Sequence, residues 1–248
     1  MKIVILSVFL GTLICCLGHS EPTQTIRFSI AESWSEPYAF FDNNKNLVGG
    51  AMKEVIDEIA IKLNSTATYI YLSRNRVDAA AEKKQIDIRC FMNEGWTVKS
   101  DIYDWSREVF GVSNSVIWKK GKSPIMKLTD LESKTVGTVS GYIYKGLEAQ
   151  MKSGKITRSD VASEQMNLTL LQKNRLDYAI VGTAAFHWLL QKEESASLKD
   201  TESFVIDSTP TKCAVLKNGK IKVENLDEAL NKIKSEGTLK KIQSKYGI

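Results

Sequence analysis

The chain has 248 residues, of which 43% are hydrophobic, 25% charged and 8% aromatic. That is enough apolar material for one large domain or two small ones, and it excludes disordered, collagen-like and coiled-coil chains. The 34 Lys and Arg against 29 Asp and Glu leave a formal net charge of +5; the charges are scattered, so the field gives no argument for nucleic acid, and a small molecule or a protein is the expected partner.

From the N-terminus, residues 1–20 are expected to be a cleaved secretory signal peptide. Lys2 precedes an apolar run from Ile3 to Leu17, which ends in Gly18, His19 and Ser20. The alternative is a retained anchor, but a spanning helix needs about 20 uninterrupted apolar residues, and no later segment supplies them. Cys15 and Cys16 suggest lipidation, against which Leu13, Ile14 and Cys15 are a poor match to the small residues such a site places before its cysteine. With the leader removed, Cys90, Cys213 and His187 are the cysteines and histidine that remain. An even pair in an oxidising compartment predicts a disulfide, with two buried free thiols as the alternative. One histidine and two distant cysteines give no metal-ligand spacing, so no metal and no cofactor are expected. His187, between Phe186 and Trp188, reads as a helix residue rather than a catalytic base.

Thr25 to Ile30 alternates apolar and polar residues and predicts a strand, followed by an aromatic, turn-rich stretch through Asn46. A helix is expected after Gly49-Gly50, where Met52, Val55, Ile56, Ile59, Ala60 and Leu63 fall at helical spacing. Ala67 to Leu72 predicts a second strand, Val77 to Lys84 a short helix, and Ile86 to Phe91 a third strand, completing a βαβαβ unit. The order recurs with a strand at Thr135 to Val139, a helix at Tyr142 to Met151, a strand near Val161, a helix at Met166 to Lys173, a strand at Tyr178 to Val181 and a helix at Thr183 to Gln191. A strand at Cys213 to Leu216 and two amphipathic helices, around Leu226 to Ile233 and Leu239 to Tyr246, close the chain. The two α/β units are each adequate as a lobe.

A disulfide brings its Cα atoms within about 7 Å. If Cys90 and Cys213 pair, the C-terminal strand returns to lie beside the third strand of the first lobe, which becomes discontinuous. The chain then crosses twice between the lobes, after Ser106 and before Cys213. This predicts lobe 1 over 21–112 plus 209–248, lobe 2 over 113–208, and a cleft between them.

Several short stretches then carry a resemblance. They are Glu36-Pro37-Tyr38-Ala39-Phe40, Leu47-Val48-Gly49-Gly50, Gln85-Ile86-Asp87, Tyr103-Asp104-Trp105-Ser106, Leu128-Thr129-Asp130-Leu131 and Val136-Gly137-Thr138-Val139-Ser140-Gly141. Asn174-Arg175-Leu176-Asp177-Tyr178, Ser235-Glu236-Gly237-Thr238-Leu239 and Ile242-Gln243-Ser244-Lys245-Tyr246-Gly247 complete the set. In this order and spacing the mature chain resembles the periplasmic solute-binding proteins of the amino-acid ABC transporter type, family 3. The resemblance implies an α/β, two-lobed type II periplasmic-binding-protein fold that closes over one small ligand, acts without chemistry as a monomer in the periplasm, and hands its ligand to an ABC permease or a membrane sensor. It also makes two sequon-like stretches, Asn64-Ser65-Thr66 and Asn167-Leu168-Thr169, chance matches.

For the site, the loop after the first strand offers Trp34, Tyr38 and Phe40, of which one or two are expected to face the cleft. Counting back from Asp87 puts Arg74 where related binders place a ligand-stacking side chain. With Arg76, it offers a guanidinium that grips a carboxylate bidentately. Arg89 lies on the third strand, and Asn93, Glu94, Trp96 and Thr97 occupy the cleft-edge loop after it. The Ser140-Gly141-Tyr142 turn is expected to open a helix whose free N–H groups favour an anion, and Thr183 begins the helix after the last strand of the second unit.

Two departures bear on the ligand. Where the family's amino-acid binders hold the α-carboxylate with an Arg, counting back from Trp105 reaches Lys99; where they hold the α-ammonium with an Asp, counting on from Asp177 reaches Gly182. A glycine offers no charge to an ammonium group, so an ordinary α-amino acid is not expected to be the best ligand. A competing reading is an enzyme on the same two lobes, like the cyclohexadienyl dehydratases, with Glu32, Glu36 or Glu94 as acid or base.

Overall fold

In the computed structural model, which describes residues 24–192 and 198–248, strand β1 (Gln24–Ala31) turns Ile26, Phe28 and Ile30 inward, as their alternation requires. The expected signal peptide lies outside the described residues, as do Cys15 and Cys16. β2 (Phe40–Phe41) and β3 (Leu47–Gly49) form a small antiparallel pair. Helix α1 (Ala51–Lys62) buries Met52, Val55, Ile56, Ile59 and Ala60 on one face. It stops before Asn64, whose left-handed φ of 50° ends the helical ladder. β4 (Ser65–Leu72) runs parallel to β1; a tight turn over Arg74–Arg76 leads into α2 (Val77–Glu82), and β5 (Ile88–Met92) returns on the other side of β1.

The second unit contains β7 (Thr135–Val139), α3 (Glu148–Lys152), β8 (Thr157–Val161), α4 (Glu164–Gln172), β9 (Tyr178–Gly182) and α5 (Thr183–Leu190), with β7 parallel to both β8 and β9. The helix expected from Tyr142 starts only at Glu148. Gly141 and Gly146 hold φ values of 76° and 83°, and the Tyr142 N–H donates to the Val139 carbonyl at 3.1 Å, so the segment between is a chain of turns.

Two long strands join the units. β6 (Tyr103–Lys119) has no counterpart among the sequence expectations, and the strand expected at Cys213 is the end of β10 (Thr201–Leu216). They pair antiparallel from Thr201↔Lys119 to Leu216↔Tyr103; β10 also pairs with β5, and β6 with β9. The result is one eight-stranded mixed sheet in the order β4-β1-β5-β10-β6-β9-β7-β8. Alternation is interrupted by register shifts between Val205 and Asp207 and between Thr211 and Ala214, and Pro210 argues in sequence against a central strand.

The tail returns to the first unit. α6 (Val223–Ser235) and α7 (Thr238–Tyr246) contribute Leu226, Leu230, Ile233, Leu239, Ile242 and Tyr246 to the core built by Ile26, Phe28, Ile56 and Ile59. The Tyr246 hydroxyl donates to Glu54 of α1 at 2.7 Å. Cys90 and Cys213 form a disulfide that ties β5 to β10 across 123 positions of sequence. The second unit has cores of its own, around Val116, Val136, Leu147 and Ile180 and around Leu168, Leu171, Val181 and Phe186.

Candidate functional site

Where the units face each other lies a cavity of about 60 Å³. The first unit contributes Ser33, Trp34, Ser35 and Tyr38 from the loop after β1, Arg74 from the turn before α2, Phe91 from β5, and Trp96. β6 contributes Val112 to Asn114, and the second unit Tyr142, Ile143, Tyr144, Glu164 and Gly182.

The aromatic floor is set by β5. Phe91 holds a φ of 59°, rare for a bulky residue, beside the register shift between Lys212 and Ala214. A bulge of this kind re-aims a side chain. Phe91 meets the ring of Tyr38 at 4.5 Å and the edge of Trp34 at 5.7 Å between centroids. Phe40, the third aromatic of the loop, packs outside the cavity on Trp188 at 5.9 Å.

Arg74 is the cation of the cavity. Its guanidinium donates to the Trp96 carbonyl at 2.8 Å and to the Met92 sulfur at 2.7 Å, and lies over the Tyr142 ring with 5.5 Å to the centroid. Burial, reinforced by Arg89, pushes its pKa down to about 10, so it stays charged at neutral pH. It forms no ion pair among the described residues. The nearby Asp78 is already engaged: it accepts from the Arg89 guanidinium, from Thr97 Oγ1 at 2.9 Å and from the Tyr103 hydroxyl at 3.0 Å. This network fixes the loop whose Trp96 carbonyl holds Arg74.

Glu164 is the anion. Only 8% exposed, it accepts from Ser35 Oγ of the opposite unit at 2.9 Å and from the Gly182 backbone N–H. Burial raises its pKa above the ordinary carboxylate value against the pull of those two donors. Gly182 leaves room for this placement: a Cβ there would stand 3.1 Å from Glu164 Oε2, a tight contact. A second contact between the units joins the Tyr142 hydroxyl to Ser33 Oγ at 3.3 Å. Burial, followed by the Glu164 charge, keeps the hydroxyls of Tyr38 and Tyr142 protonated, pushing Tyr142 up to about 12.

Of the residues expected at the site, Trp34, Tyr38, Arg74, Trp96 and Tyr142 come together around the cavity. Arg76 is exposed. Asn93 donates to the Pro210 carbonyl at 3.0 Å, and the Lys99 ammonium bonds Glu82 at 2.6 Å on the outer surface, so neither lines the cavity. The Thr183 hydroxyl is 2.7 Å from Ser115 Oγ, behind the wall. Gly141 is exposed and faces the Asn75 side chain across the cleft. The helix expected to open at its turn does not start there, and the Tyr142 N–H donates to the Val139 carbonyl. Arg89 turns into the Asp78 network, and Glu94 pairs with Lys212 at 2.6 Å. Sequence reasoning missed Phe91, which a regular strand would not have aimed here, and Glu164, which precedes the expected helix start at Met166. Ser163 followed by Glu164 is the missed signal: Ser163 Oγ caps α4 by accepting from the Met166 N–H at 3.4 Å.

A sequence model of the bacterial extracellular solute-binding proteins, family 3, matches residues 26–248. The chain belongs to this family. Among its relatives is the L-cystine-binding protein TcyA of Bacillus subtilis (strain 168), 24% identical over 217 residues, covering 87% of this chain and 78% of that protein. The fold is shared with an ancestral arginine-binding protein bound to arginine, at a TM-score of 0.74 and 22% identity over 90% of this chain and 97% of that one. A histidine kinase sensor domain with similarity to periplasmic binding proteins superposes at a TM-score of 0.75 and 18% identity, over 90% of this chain and 95% of the domain. Family members bind small-molecule solutes outside the cytoplasm, and among the described residues no helix is long and apolar enough to cross a membrane.

Proposed function

We propose that the protein is a periplasmic binder that traps a small polar or anionic solute between lobes 21–112 plus 209–248 and 113–208, closing about the β6–β10 crossing. The observation that carries this reading is Arg74, a half-buried guanidinium that forms no ion pair among the described residues, in the lining of a cavity walled by both units. A charge partly removed from water and left unpaired is costly, and an anionic ligand group that accepts from its remaining N–H donors offsets that cost. The ligand favours the closed form because Tyr142 and Glu164 reach the site from the second unit, and a membrane partner then reads the closure. The relatives named for cystine and arginine support an amino-acid-like solute, and the sensor domain supports a membrane sensor as partner beside an ABC permease. The expectation against α-amino acids rested on Gly182 offering no charge; Glu164 stands against Gly182 and supplies one, which returns amino acids to the ligand class.

Mass spectrometry of small molecules released on denaturing freshly purified protein, followed by calorimetry with the released compound, tests the reading. A single anionic or zwitterionic solute that rebinds wild type and not Arg74→Met is the expected result. A second reading, a lyase on the same frame, draws on Glu164, a buried carboxylate whose raised pKa suits a proton donor. Glu32, Glu36 and Glu94 do not line the cavity. Incubation with prephenate or arogenate should leave both unchanged; formation of an aromatic product would favour the lyase.

A further inference from the structure

Glu164 is buried beside the same cavity as Arg74, yet no cation stands against it. Its two contacts, Ser35 Oγ and the Gly182 N–H, use two of the roughly four acceptor positions of a carboxylate. Both donors are neutral, and among the described residues it forms no ion pair. A carboxylate taken out of water is retained at such cost when something of opposite charge completes it. The same cavity therefore presents an unpaired guanidinium from the turn before α2 and an unpaired carboxylate from the start of α4, one from each unit.

We infer that Glu164 is the residue that recognises a basic nitrogen of the ligand, so that the solute carries both an anionic group for Arg74 and a protonated amine or amidinium for Glu164. This rests on the cleft-binding reading and deepens it. The charges of the clamp are kept, but their positions are moved. Lys99 and Gly182, the positions the family resemblance points to, hold an outward ammonium bonded to Glu82 and a bare backbone. The Glu164 carboxylate stands beside the bare Gly182 backbone, where a Cβ would lie 3.1 Å from Oε2 and ask it to give by a few tenths of an ångström. Glu164 also accepts from Ser35 Oγ of the opposite unit, so its carboxylate is steadied from both sides only when the units are together.

The test is calorimetry of the full mature protein against the neutral and acidic L-amino acids, each beside the carboxylic acid that lacks its α-amine, for example L-glutamate with glutarate and L-alanine with propionate. For any amino acid that binds, the matched acid is expected to bind at least tenfold more weakly. Glu164→Gln, which keeps the shape and an acceptor for Ser35 Oγ, is expected to lose at least tenfold for the amino acid and to bind the acid no more weakly than wild type does. Equal affinity for both members of a pair, or a Glu164→Gln variant that loses both or neither, overturns the inference. If no pair binds, the small molecules released on denaturation decide: a solute with a basic nitrogen and an anionic group supports it, and one without a basic nitrogen overturns it while leaving cleft binding intact. No released solute and no binder in the panel would instead overturn the cleft reading.

Discussion

Removal of the Cys90–Cys213 disulfide offers a stringent test of the discontinuous first unit. The bond closes a loop spanning 123 positions, which contains all of the second unit, all of β6 and most of β10. In the chain-entropy picture a loop of this length restricts the unfolded chain by about 5 kcal/mol at 25 °C, and measured values for natural bridges run about 2–5 kcal/mol. In a chain of this size each kcal/mol moves the thermal midpoint by about 2–4 °C, so the Cys90→Ala/Cys213→Ala variant is expected to melt on the order of 10 °C lower. Both sulfurs are fully buried, so truncation also leaves small voids worth roughly 1 kcal/mol in all. Reduction of the wild-type protein, which leaves the atoms in place, separates the two contributions. The assay is urea unfolding at equilibrium, oxidised and reduced, with the double variant alongside. A loss under about 1 kcal/mol on reduction would refute the reasoning; it would mean that α6 and α7, through Leu226, Ile233, Ile242 and Tyr246, already confine the tail in the unfolded ensemble.

Other outcomes follow from the charges. Arg74→Met is expected to weaken binding of the co-purified solute at least about 30-fold, the effect of losing one partner of a buried, hydrogen-bonded charge pair, and calorimetry reads it directly. Glu164→Gln is expected to make the ligand-free protein more stable at pH 7. Because burial raises its pKa in the folded state, the native protein holds this proton more tightly than the unfolded chain; stability is full below the ordinary carboxylate value and falls as pH rises through the raised one. The midpoint difference between variant and wild type should therefore shrink from pH 7 to pH 4, and a difference independent of pH would contradict the assignment. Asp87 runs the other way. Burial pushes its carboxyl up, but the Arg27 side chain and backbone N–H together hold it below the ordinary value. Its stabilisation is present at neutral pH and lost as pH falls through that lowered value. Asp87→Asn should cost about 1–3 kcal/mol at pH 7 in urea unfolding, with little loss at pH 2.

What the sequence disclosed is what local periodicity encodes. The α1 face, the β1 alternation and the two C-terminal helices follow from spacing alone, and the pair Cys90–Cys213 followed from the compartment implied by the leader. Arg74 was offered by counting from Asp87 and Tyr142 by the turn after β7, but that the two meet was not legible, because it depends on contacts across the cleft. Lys99 read as a cleft cation since its reach to Glu82 is a tertiary fact. Glu164 was hidden by a helix start placed two residues late, and Phe91 by a bulge whose cause lies on β10. The long strands were illegible for a related reason: Gly111 and Pro210, opposite one another in the ladder, each weaken the strand pattern, and only the pairing restores it.

The pairing of β6 with β10 also constrains how the molecule can move. A two-stranded ribbon bonded along its length resists sliding, because any slip of one strand past the other breaks its ladder everywhere at once. Twist and bend leave most rungs intact and concentrate where the ladder is already irregular, between Val205 and Asp207 and between Thr211 and Ala214. At the edge of the first of those points Asn114 donates to Asp207 through both its backbone N–H and its side-chain amide at 3.0 Å, riveting that irregularity. The opening that the proposed function requires would then fall to the unriveted stretch between Thr211 and Ala214, as a swivel rather than a slide.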